Sequence, residues 1–391
     1  MNRILVVAPD EAGFRQYAED LHHAAKPLAS ESGLELAEPI YYPHLSNQAD
    51  VDELIQRISI FSPDLVHIHH EYGMMGSKVP GRYQFPNLIR SFRRGFPLSR
   101  LAATAHTVIQ PAFQYPEEDR GWQTPLRKIA NRLFLPRLKK LWGKETWGPL
   151  DAVTAHSGTQ INALQESGCP IVREIPHYVP PPISESEIAQ KSNFLDQVPQ
   201  GAPLLVTFGY LTPEKGTDIL IRALPHLPSE VHLVIAGGLR RGGDRFYYES
   251  CLKLVSDLQL TSRVQITGFI PFEELSLLCK RADLVVAPFR ETSGSGSIPD
   301  VLSRGVALVT SDHPINLEIN QRVPGAACFF KNENEKNCAE KIAALIRSPE
   351  KIENLRKNAK TYAERYSAVH LSRLWLEFYS DVLAQPATGR T

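Results

Sequence analysis

The stretch LVVAPFRETSGSGSIPDVLSRGVALVTSD, residues 284–312, contains the pattern that decides the fold. Apolar, β-rich runs stand at both of its ends, and the helical run Ile298–Arg304 lies between them, after a loop of alternating serine and glycine. A strand, a helix and a second strand in this order predict one unit of a buried parallel sheet. Because both ends of the loop are fixed, an anion site is favoured over a flexible linker. Glycine amides approach a phosphate closely, serine hydroxyls add donors, and the helix start adds partial positive charge. The predicted diphosphate site comprises Ser293, Gly294, Ser295, Gly296 and Ser297.

The same alternation of apolar runs and amphipathic segments occurs twice along the chain. The first series runs from RILVVAP to DAVTAHS, the proline-rich stretch 176–203 interrupts it, and a second series runs from PLLVTFGYL to VALVTSD. Only helical patterns are recognised after the second series. The expected fold is therefore α/β, with two parallel-sheet domains, and two such sheets facing each other would form a cleft.

Composition excludes several classes of protein. Lysine plus arginine and aspartate plus glutamate both number 43, so no overall charge attracts nucleic acid. The five cysteines form no CxxC pair and one would be left unmatched, which favours reduced thiols in a cytoplasm and no zinc site. The first apolar run is too short for a signal peptide, and no segment approaches the roughly 18 apolar residues of a membrane span. A soluble, cytoplasmic protein is expected.

Ligands of open α/β sheets bind beyond the carboxyl ends of the strands, so residues that follow each apolar run are candidates. In the first half these include Gly13 and the strand-end histidines His69, His106 and His156. Core packing explains any single one of these histidines as well as a functional role does.

The run HIHH, residues 67–70, is a candidate metal site. Strand alternation, however, points His67 and His69 to one side of the sheet and His70 to the other. No metal site is therefore predicted.

Two charged residues of the second half have alternative interpretations. Lys215 precedes Gly216 at the start of a helix, where it can pair with a phosphate or simply be solvated. Taken alone, the solvated lysine is the commoner case. Asp300 lies in the first turn of the helix after the glycine-serine loop, where it either favours the helix dipole or accepts hydrogen bonds from a ribose diol.

These segments together resemble the family 4 glycosyltransferases of the GT-B fold, a group of retaining, nucleotide-sugar-dependent enzymes. The resemblance is carried by FGYLTPEKGTDILIRAL, VHLVIAGG, VQITGFIPFEELSLLCKRADLVVAPF and SGSGSIPDVLSRGVALVTSD, and in the first half by DLVHIHHEYG, TAHTV, DAVTAHS and REIPHYV. It implies two Rossmann-like, doubly wound domains: 1–180 for the acceptor and 181–366 for the nucleotide sugar, with 367–391 crossing back to the first.

The resemblance also implies an activity and a set of site residues. A hexose would move from a nucleotide-diphosphate sugar to an acceptor hydroxyl with retention of anomeric configuration, without a metal or other cofactor. Lys215 would hold the diphosphate, the backbone of Gly268 and Phe269 would meet the base, and His106 would touch the donor sugar. The expected catalytic residues are His106, Lys215 and Glu291, and the expected donor-binding residues are Gly13, Gly209, Tyr210, Lys215, Gly216, Gly268, Phe269, the 293–297 loop and Asp300.

The sequence departs from the family pattern at several of these positions. Eight residues, instead of seven, separate Glu291 from Asp300, and Thr292 stands at the usual spacing. Tyr210 replaces a common arginine, and Gly13 stands alone where a glycine pair is frequent. A nucleotide-sugar-binding protein with lost or weak transfer is therefore the alternative. A dinucleotide-dependent oxidoreductase is disfavoured, since the first strand is not followed by GxGxxG.

Segment 124–147 bears on the acceptor, which is expected to be a glycan, a lipid-linked molecule or a small molecule. Its basic residues are interleaved with Leu133, Phe134, Trp142 and Trp147, which is typical of a surface that rests on an anionic membrane. A solvated helix beside the cleft is nevertheless the favoured interpretation of this segment. The donor sugar, its base and the acceptor are not specified by the sequence.

Overall fold

The computed structural model describes residues 1–76, 82–110, 113–114, 125, 128–182, 184, 186, 188–239, 245–294 and 296–385. The chain forms two compact units: the first is Met1–Pro176 together with the last helix, and the second is His177–Ser367. Each unit is a parallel sheet covered by helices, which confirms the predicted α/β class with two parallel sheets. The predicted boundaries were 180 and 366. Ser295 and part of segment 124–147 lie outside the described residues.

The first sheet has the strand order β2-β1-β4-β5-β6-β7, with β3 also paired to β1. Its strands are β1 (Asn2–Pro9), β2 (Leu34–Leu36), β3 (Ile40–Tyr42), β4 (Leu65–His70), β5 (Arg100–Ala105), β6 (Ala152–Ala155) and β7 (Ile171–Glu174). The central strands β4, β5 and β6 are almost fully buried, because helices cover both faces of a parallel sheet. Continuous apolar runs such as LAATA result from this burial.

The second sheet has the order β10-β9-β8-β11-β12-β13, the doubly wound order of a Rossmann fold. Its strands are β8 (Leu204–Phe208), β9 (His232–Ala236), β10 (Val264–Ile266), β11 (Leu284–Ala287), β12 (Leu308–Ser311) and β13 (Ala327–Phe330). The expectation of only helical patterns after VALVTSD was wrong, since β13 pairs in parallel with β12.

Helices fill the connections between strands. They are α1 (Ala12–Ala29), α2 (Gln48–Ser59), α3 (Phe85–Gly95), α4 (Leu135–Lys140), α5 (Gly158–Gln165), α6 (Thr217–Ala223), α7 (Arg245–Asp257), α8 (Phe272–Arg281), α9 (Ser297–Ser303), α10 (Pro314–Arg322), α11 (Glu335–Ile346), α12 (Pro349–Arg365) and α13 (Ala368–Ala384). A capping residue marks the start of α2. The side chain of Asn47 accepts from the first amides of α2 while Asp50 accepts from the backbone of Asn47, which forms a capping box.

The last helix, α13, belongs to the first unit although the second unit separates it in sequence. It packs on α1, and Tyr379 Oη lies 2.8 Å from Nδ1 of His67 in β4. Among the described residues, no helix combines the length and the apolar character needed to cross a membrane.

Candidate functional site

The second sheet reverses its direction of growth between β8 and β11, and its candidate site lies at the carboxyl ends of these two strands. The connections that follow the two neighbouring strands leave in opposite directions at such a switch point, and this opens a crevice for a ligand. The residues after β8 include Gly209, Tyr210 and Lys215, and those after β11 include Pro288 and the glycine-serine loop. Two separate stretches of predicted site residues are thus brought to one edge of the sheet.

Lys215 reaches from one of these stretches to the other. Its Nζ lies 3.4 Å from Oγ of Ser297 at the start of α9, and 4.0 Å from the centre of the Phe289 ring. Burial lowers the pKa of Lys215 to about 8, and the nearby Glu214 only partly opposes this effect. A partly buried ammonium beside hydroxyl and aromatic groups gains from an incoming anion. The solvated lysine of the alternative interpretation is therefore not what the structure shows.

Gly216 permits the close approach of the two stretches. Its φ of +64° is unfavourable for residues with a side chain, and a Cβ placed on it would lie 2.0 Å from the carbonyl oxygen of Pro288. The turn Pro213–Lys215 can therefore pass directly against the end of β11 only with glycine here. The position of Lys215 depends on this contact.

The glycine-serine loop bends at Gly294, where φ is +100°. The amide of Gly294 donates to Oγ1 of Thr292 over 3.2 Å, and α9 begins at Ser297 after Gly296. Thr292, which stands at the family's usual spacing from Asp300, thus takes part in the turn of the loop.

Asp300 forms an ion pair that sequence analysis missed. Nη2 of Arg304 lies 3.0 and 3.3 Å from its two carboxylate oxygens, and the Arg304 side chain is 6% exposed. Arg304 also packs over the ring of Phe272, 4.5 Å from its centre. Burial raises the pKa of Asp300, while Arg304 opposes the rise. The i,i+4 spacing on a helix was the signal that could have identified this pair.

Glu291 has a different environment from the other predicted catalytic residues. Its side chain is 80% exposed, and Nε2 of His313 lies 3.6 Å from its carboxylate. Its backbone amide donates to the carbonyl of Glu214, next to Lys215. The backbone of Glu291 therefore belongs to the site edge, while its carboxylate points to solvent.

An aromatic pair flanks the same edge. The rings of Tyr210 and Phe269 meet edge to face with centroids 5.3 Å apart, and they remain 42% and 62% exposed. Gly268 has a φ of +70°, and a Cβ on Gly238 would lie 3.5 Å from the Phe269 ring. Exposed rings beside small residues form a platform on which a planar base can stack.

Three histidines form a hydrogen-bonded chain at the carboxyl ends of β4, β5 and β6 in the first unit. His69 Nδ1 lies 3.0 Å from His106 Nε2, and His106 Nδ1 lies 3.2 Å from His156 Nε2. His156 Nδ1 lies 3.0 Å from the carbonyl oxygen of Ile175. Tyr17 contacts all three rings edge-on or tilted.

The carbonyl of Ile175 fixes the direction of this chain. A carbonyl only accepts, so Nδ1 of His156 carries a proton, and with neutral rings each histidine then donates from Nδ1 to the next. Both ring nitrogens of His106 are engaged by His69 and His156. The structure therefore places His106 at a strand end with a fixed tautomer.

Gly13, His67 and His70 lie outside this hydrogen-bonded chain of histidines. Gly13 lies in the first turn of α1 with no neighbouring atom within 4 Å of a Cβ placed on it. His67 contacts Thr104 and Tyr379, and burial lowers its pKa well below the ordinary value. His70 points to the other side, where it contacts Tyr83.

The alternation predicted for HIHH is thus observed. Within the part of the chain that the structure describes, no group of three or more histidine, cysteine, aspartate or glutamate side chains is arranged to hold a metal ion.

Comparison with known families connects this geometry to a protein class. Residues 190–362 match the model of the "Glycosyl transferases group 1" family. This region contains both stretches of the edge between β8 and β11, including Lys215, Gly216 and Asp300.

Each of the curated relatives matches less than half of the chain. A human GDP-Man:Man(3)GlcNAc(2)-PP-Dol alpha-1,2-mannosyltransferase is 29% identical over 174 residues, which are 42% of this chain and 35% of that protein. A GDP-mannose-dependent alpha-(1-6)-phosphatidylinositol monomannoside mannosyltransferase of Mycolicibacterium smegmatis is 32% identical over 30% of this chain and 29% of its own length. The alpha-galactosylglucosyldiacylglycerol synthase of Streptococcus pneumoniae is 26% identical over 48% and 47%. The chain spans less than half the length of the curated relatives it matches.

Solved structures match almost the whole chain. Anabaena HepE in complex with UDP has a TM-score of 0.66 at 17% identity, over 97% of this chain and 100% of that one. Sucrose-phosphate synthase of Thermosynechococcus elongatus has a TM-score of 0.67 at 13% identity, over 98% and 100%. The chain therefore has the GT-B fold, and its residues 190–362 match the group 1 glycosyl transferases.

Proposed function

We propose that this protein is a glycosyltransferase that moves a hexose from a nucleotide-diphosphate sugar to an acceptor hydroxyl with retention of anomeric configuration. The contact of Lys215 with Ser297 across the switch point carries the proposal, because it places a partly buried ammonium at the edge where such sheets bind ligands. This contact lies inside the region that matches the glycosyl transferase family. The UDP bound to HepE, which has the same fold, supports a nucleotide donor.

The reaction requires that charge on the departing diphosphate be stabilised. Lys215 would pair with this charge, and the backbone amides of the glycine-serine loop would donate to the same oxygens. The exposed Tyr210–Phe269 pair would hold the base. In a front-face transfer the leaving diphosphate accepts the proton of the acceptor hydroxyl, so we propose a metal-independent step with no further cofactor. The contact of His106 with the sugar remains a prediction.

The acceptor we propose is lipid-linked. The names of three matched relatives refer to a PP-Dol-linked acceptor, a phosphatidylinositol monomannoside and a galactosylglucosyldiacylglycerol. Acceptors of this kind lie at membrane surfaces, which fits a cytoplasmic protein in peripheral contact with the inner membrane surface. The free cysteines are in keeping with a reducing compartment.

A nucleotide-sugar-binding protein without transfer is the second candidate. The observation that favours it is the side chain of Glu291, which is 80% exposed although a catalytic role was expected for it. Donor hydrolysis or transfer in the presence of an acceptor separates the two candidates.

A two-stage experiment tests the proposal. Thermal shifts with UDP-, GDP- and ADP-sugars identify the donor, and Lys215→Ala serves as the matched variant that should lose the shift. The identified donor is then incubated with extracts of membrane lipids, and NMR of the product reports the anomeric configuration. No shift with any nucleotide sugar would overturn both candidates, and an inverted product would overturn retention.

A further inference from the structure

Arg290 lies between β11 and the glycine-serine loop, and its side chain is 23% exposed. Its guanidinium forks onto the carboxylate of Asp218 in α6, with Nη1 at 2.7 Å from Oδ1 and Nη2 at 2.6 Å from Oδ2. Its Nε lies 2.6 Å from the carboxylate of Glu333, which follows β13. Two carboxylates from separate parts of the chain thus fix the plane and the position of this guanidinium.

Arg290 also holds the turn that carries Lys215. Its Nη1 donates to the carbonyl oxygen of Pro213 over 2.9 Å. The backbone amides of Arg290 and Glu291 donate to the carbonyl oxygen of Glu214 over 2.9 and 3.2 Å. The two residues before Lys215 are therefore tied to the chain immediately before the glycine-serine loop.

The Asp218 carboxylate has a second support. The hydroxyl of Tyr247 in α7 donates to Oδ1 of Asp218 over 2.5 Å and accepts from the Asp218 amide over 3.3 Å. Burial raises the pKa of Asp218, but the hydrogen bonds from Arg290 and Tyr247 lower it by more, so this pKa lies below its ordinary value. Asp218 is therefore ionised at neutral pH, and its ion pair with Arg290 is maintained.

The Glu333 carboxylate is presented by an unusual backbone conformation. Glu333 has a φ of +57°, in the left-handed region that residues with a side chain rarely adopt. Asn332 supports this conformation, since its Oδ1 accepts from the Glu333 amide over 2.9 Å and its Nδ2 donates to the carbonyl oxygen of Arg290 over 3.0 Å. Such conformations persist where the surroundings determine them, and they concentrate at functional sites. The loop after β13 is thus fitted to Arg290.

The charges around Arg290 argue against direct contact with a phosphate. A guanidinium has five N–H donors. Four of them are used here, one at Nε, two at Nη1 and one at Nη2. The positive charge of Arg290 faces the negative charges of Asp218 and Glu333, which would repel a diphosphate. Lys215, and not Arg290, is therefore the cation suited to bind one.

We propose that Arg290 is a positioning residue of the donor site. It holds the turn Pro213–Lys215 against the start of the glycine-serine loop, so that the Lys215 ammonium and the loop amides face the same diphosphate. Binding groups must be held within a fraction of an ångström to act together, which this network provides. The inference rests on the proposed function for the identity of the ligand, but the contacts of Arg290 are independent of it.

A paired substitution tests this role without leaving a buried charge. Arg290→Gln with Asp218→Asn removes one charge of each sign, and Glu333, whose side chain is 58% exposed, can be solvated instead. Affinity for UDP, GDP or ADP, whichever the wild type binds in calorimetry, should fall roughly tenfold, since Lys215 is no longer held for its charge-assisted contact. Affinity for the corresponding nucleoside should not change.

Arg290→Lys separates geometry from charge. A lysine keeps the positive charge, but one ammonium cannot form the fork to Asp218 and also reach Pro213 and Glu333. Diphosphate affinity should therefore stay several-fold below that of the wild type. Full affinity in this variant would show that only the charge matters and would overturn the positioning role.

The pKa of Lys215 provides a measurement that needs no ligand. Burial lowers this pKa to about 8, so a turn released by the paired substitution should let it rise toward the ordinary 10.5. The pKa is read from NMR titration of ¹³C-dimethylated lysines, with the Lys215 signal identified by its loss in Lys215→Met. A change of net charge cannot cause the rise, because the paired substitution is neutral.

Arg263 supplies a matched control in the same unit. Its Nε donates to the carbonyl oxygen of Val231 over 3.0 Å and its Nη2 to that of Pro228 over 2.8 Å, at the amino end of the sheet. Arg263→Gln should lower stability in urea denaturation, but it should change neither diphosphate affinity nor the pKa of Lys215.

Three results would overturn the proposal. They are an unchanged diphosphate affinity in the paired variant, an equal loss in Arg263→Gln, and a loss of affinity with an unchanged Lys215 pKa, which would make Arg290 a direct phosphate ligand. A wild-type chain that binds no nucleoside diphosphate would contradict the proposed function instead. The Lys215 pKa then still decides whether Arg290 positions the turn: a rise in the paired variant supports it, and no rise overturns it.

Discussion

The carboxyl ends of the two sheets carry different kinds of residues. In the first unit they carry histidines that hydrogen-bond to one another and end on the carbonyl of Ile175. In the second unit they carry glycines around the partly buried Lys215, with Gly209, Gly216 and Gly268 all at positive φ. One edge satisfies its polar groups internally, while the other holds a charge that burial disfavours.

The difference teaches how similar sheets acquire different chemistry. A closed chain of rings fixes orientation and tautomer before any ligand arrives. Glycines bring backbone close to a ligand, and a lysine with a lowered pKa gains stability only when an anion binds. We therefore expect substitutions in the second edge to alter stability and donor affinity, and substitutions in the first to alter turnover.

The largest effect should come from Gly216→Ala. The new Cβ would lie 2.0 Å from the carbonyl oxygen of Pro288 at a φ of +64°. We expect a loss of more than about 3 kcal/mol in the free energy of unfolding, measured by urea denaturation. Gly268→Ala is the control, since its φ is +70° but no atom lies within 4 Å; it should cost about 1 kcal/mol. Equal losses would mean that strain, and not the contact with Pro288, sets the cost.

Lys215→Ala should affect ligand binding most. A charge-assisted contact contributes about 1.5 to 3 kcal/mol, so affinity for the nucleoside diphosphate should fall roughly 10- to 150-fold. Calorimetry with the nucleoside alone should show little change. If the affinities for the nucleoside diphosphate and for the nucleoside fell together, Lys215 would act on folding or on the base. The second edge would then not differ from the first by binding a phosphate.

Lys215→Met tests the cost of the buried charge. The folded-state pKa of about 8 is below the ordinary value of 10.5, so the folded state binds fewer protons between these pH values. The destabilisation of the folded state by this charge is therefore complete below about pH 8, and it declines as the pH rises from about 8 to 10.5. The methionine variant should be more stable by about 2 to 3 kcal/mol at pH 7 and by less than half of this near pH 9.5. A pH-independent gain would show that packing is responsible.

Asp300 provides a smaller test within the second edge. Its carboxylate either serves only Arg304, which it contacts at 3.0 and 3.3 Å, or also accepts from the ribose hydroxyls of the donor. A double-mutant cycle that pairs Asp300→Asn with a 2′,3′-dideoxyribose donor should give a coupling energy of about 1.5 kcal/mol or more. Additive losses would assign Asp300 to the ion pair alone.

The smallest effect in free energy is expected for His106→Ala, and it should appear in turnover. Loss of the central ring of the chain should lower kcat about tenfold or more while donor Kd changes little. His23→Ala, an exposed histidine of α1, is the matched control. Unchanged turnover for His106→Ala would remove the first edge from the chemistry.

The sequence predicted strands such as β8, which is a nearly continuous apolar run, and missed β2, β3, β7 and β13. The missed strands have only three or four residues, which gives little periodicity to recognise. The equally short strands β6, β10, β11 and β12 were predicted, so length alone does not explain the omissions.

The candidate site was also predicted only in part from the sequence. The strand-end rule identified Lys215, Gly216 and His106, because position alone places them at a sheet edge. It did not predict the hydrogen bond of His67 to Tyr379, since 312 residues separate the two partners. The burial of Trp142 was also missed, although its spacing from Leu135 and Leu138 is that of one helix face.

The place of α13 in the first unit has a consequence for synthesis of the chain. Residues 177–367 are translated between β7 and α13, which takes roughly 10 to 40 s at typical rates. During this interval the second unit can fold from one continuous segment, while the first unit lacks the helix that covers His67 in β4. The N-terminal half of the nascent chain therefore exposes part of its core for longer than the half made after it, and its folding is completed last.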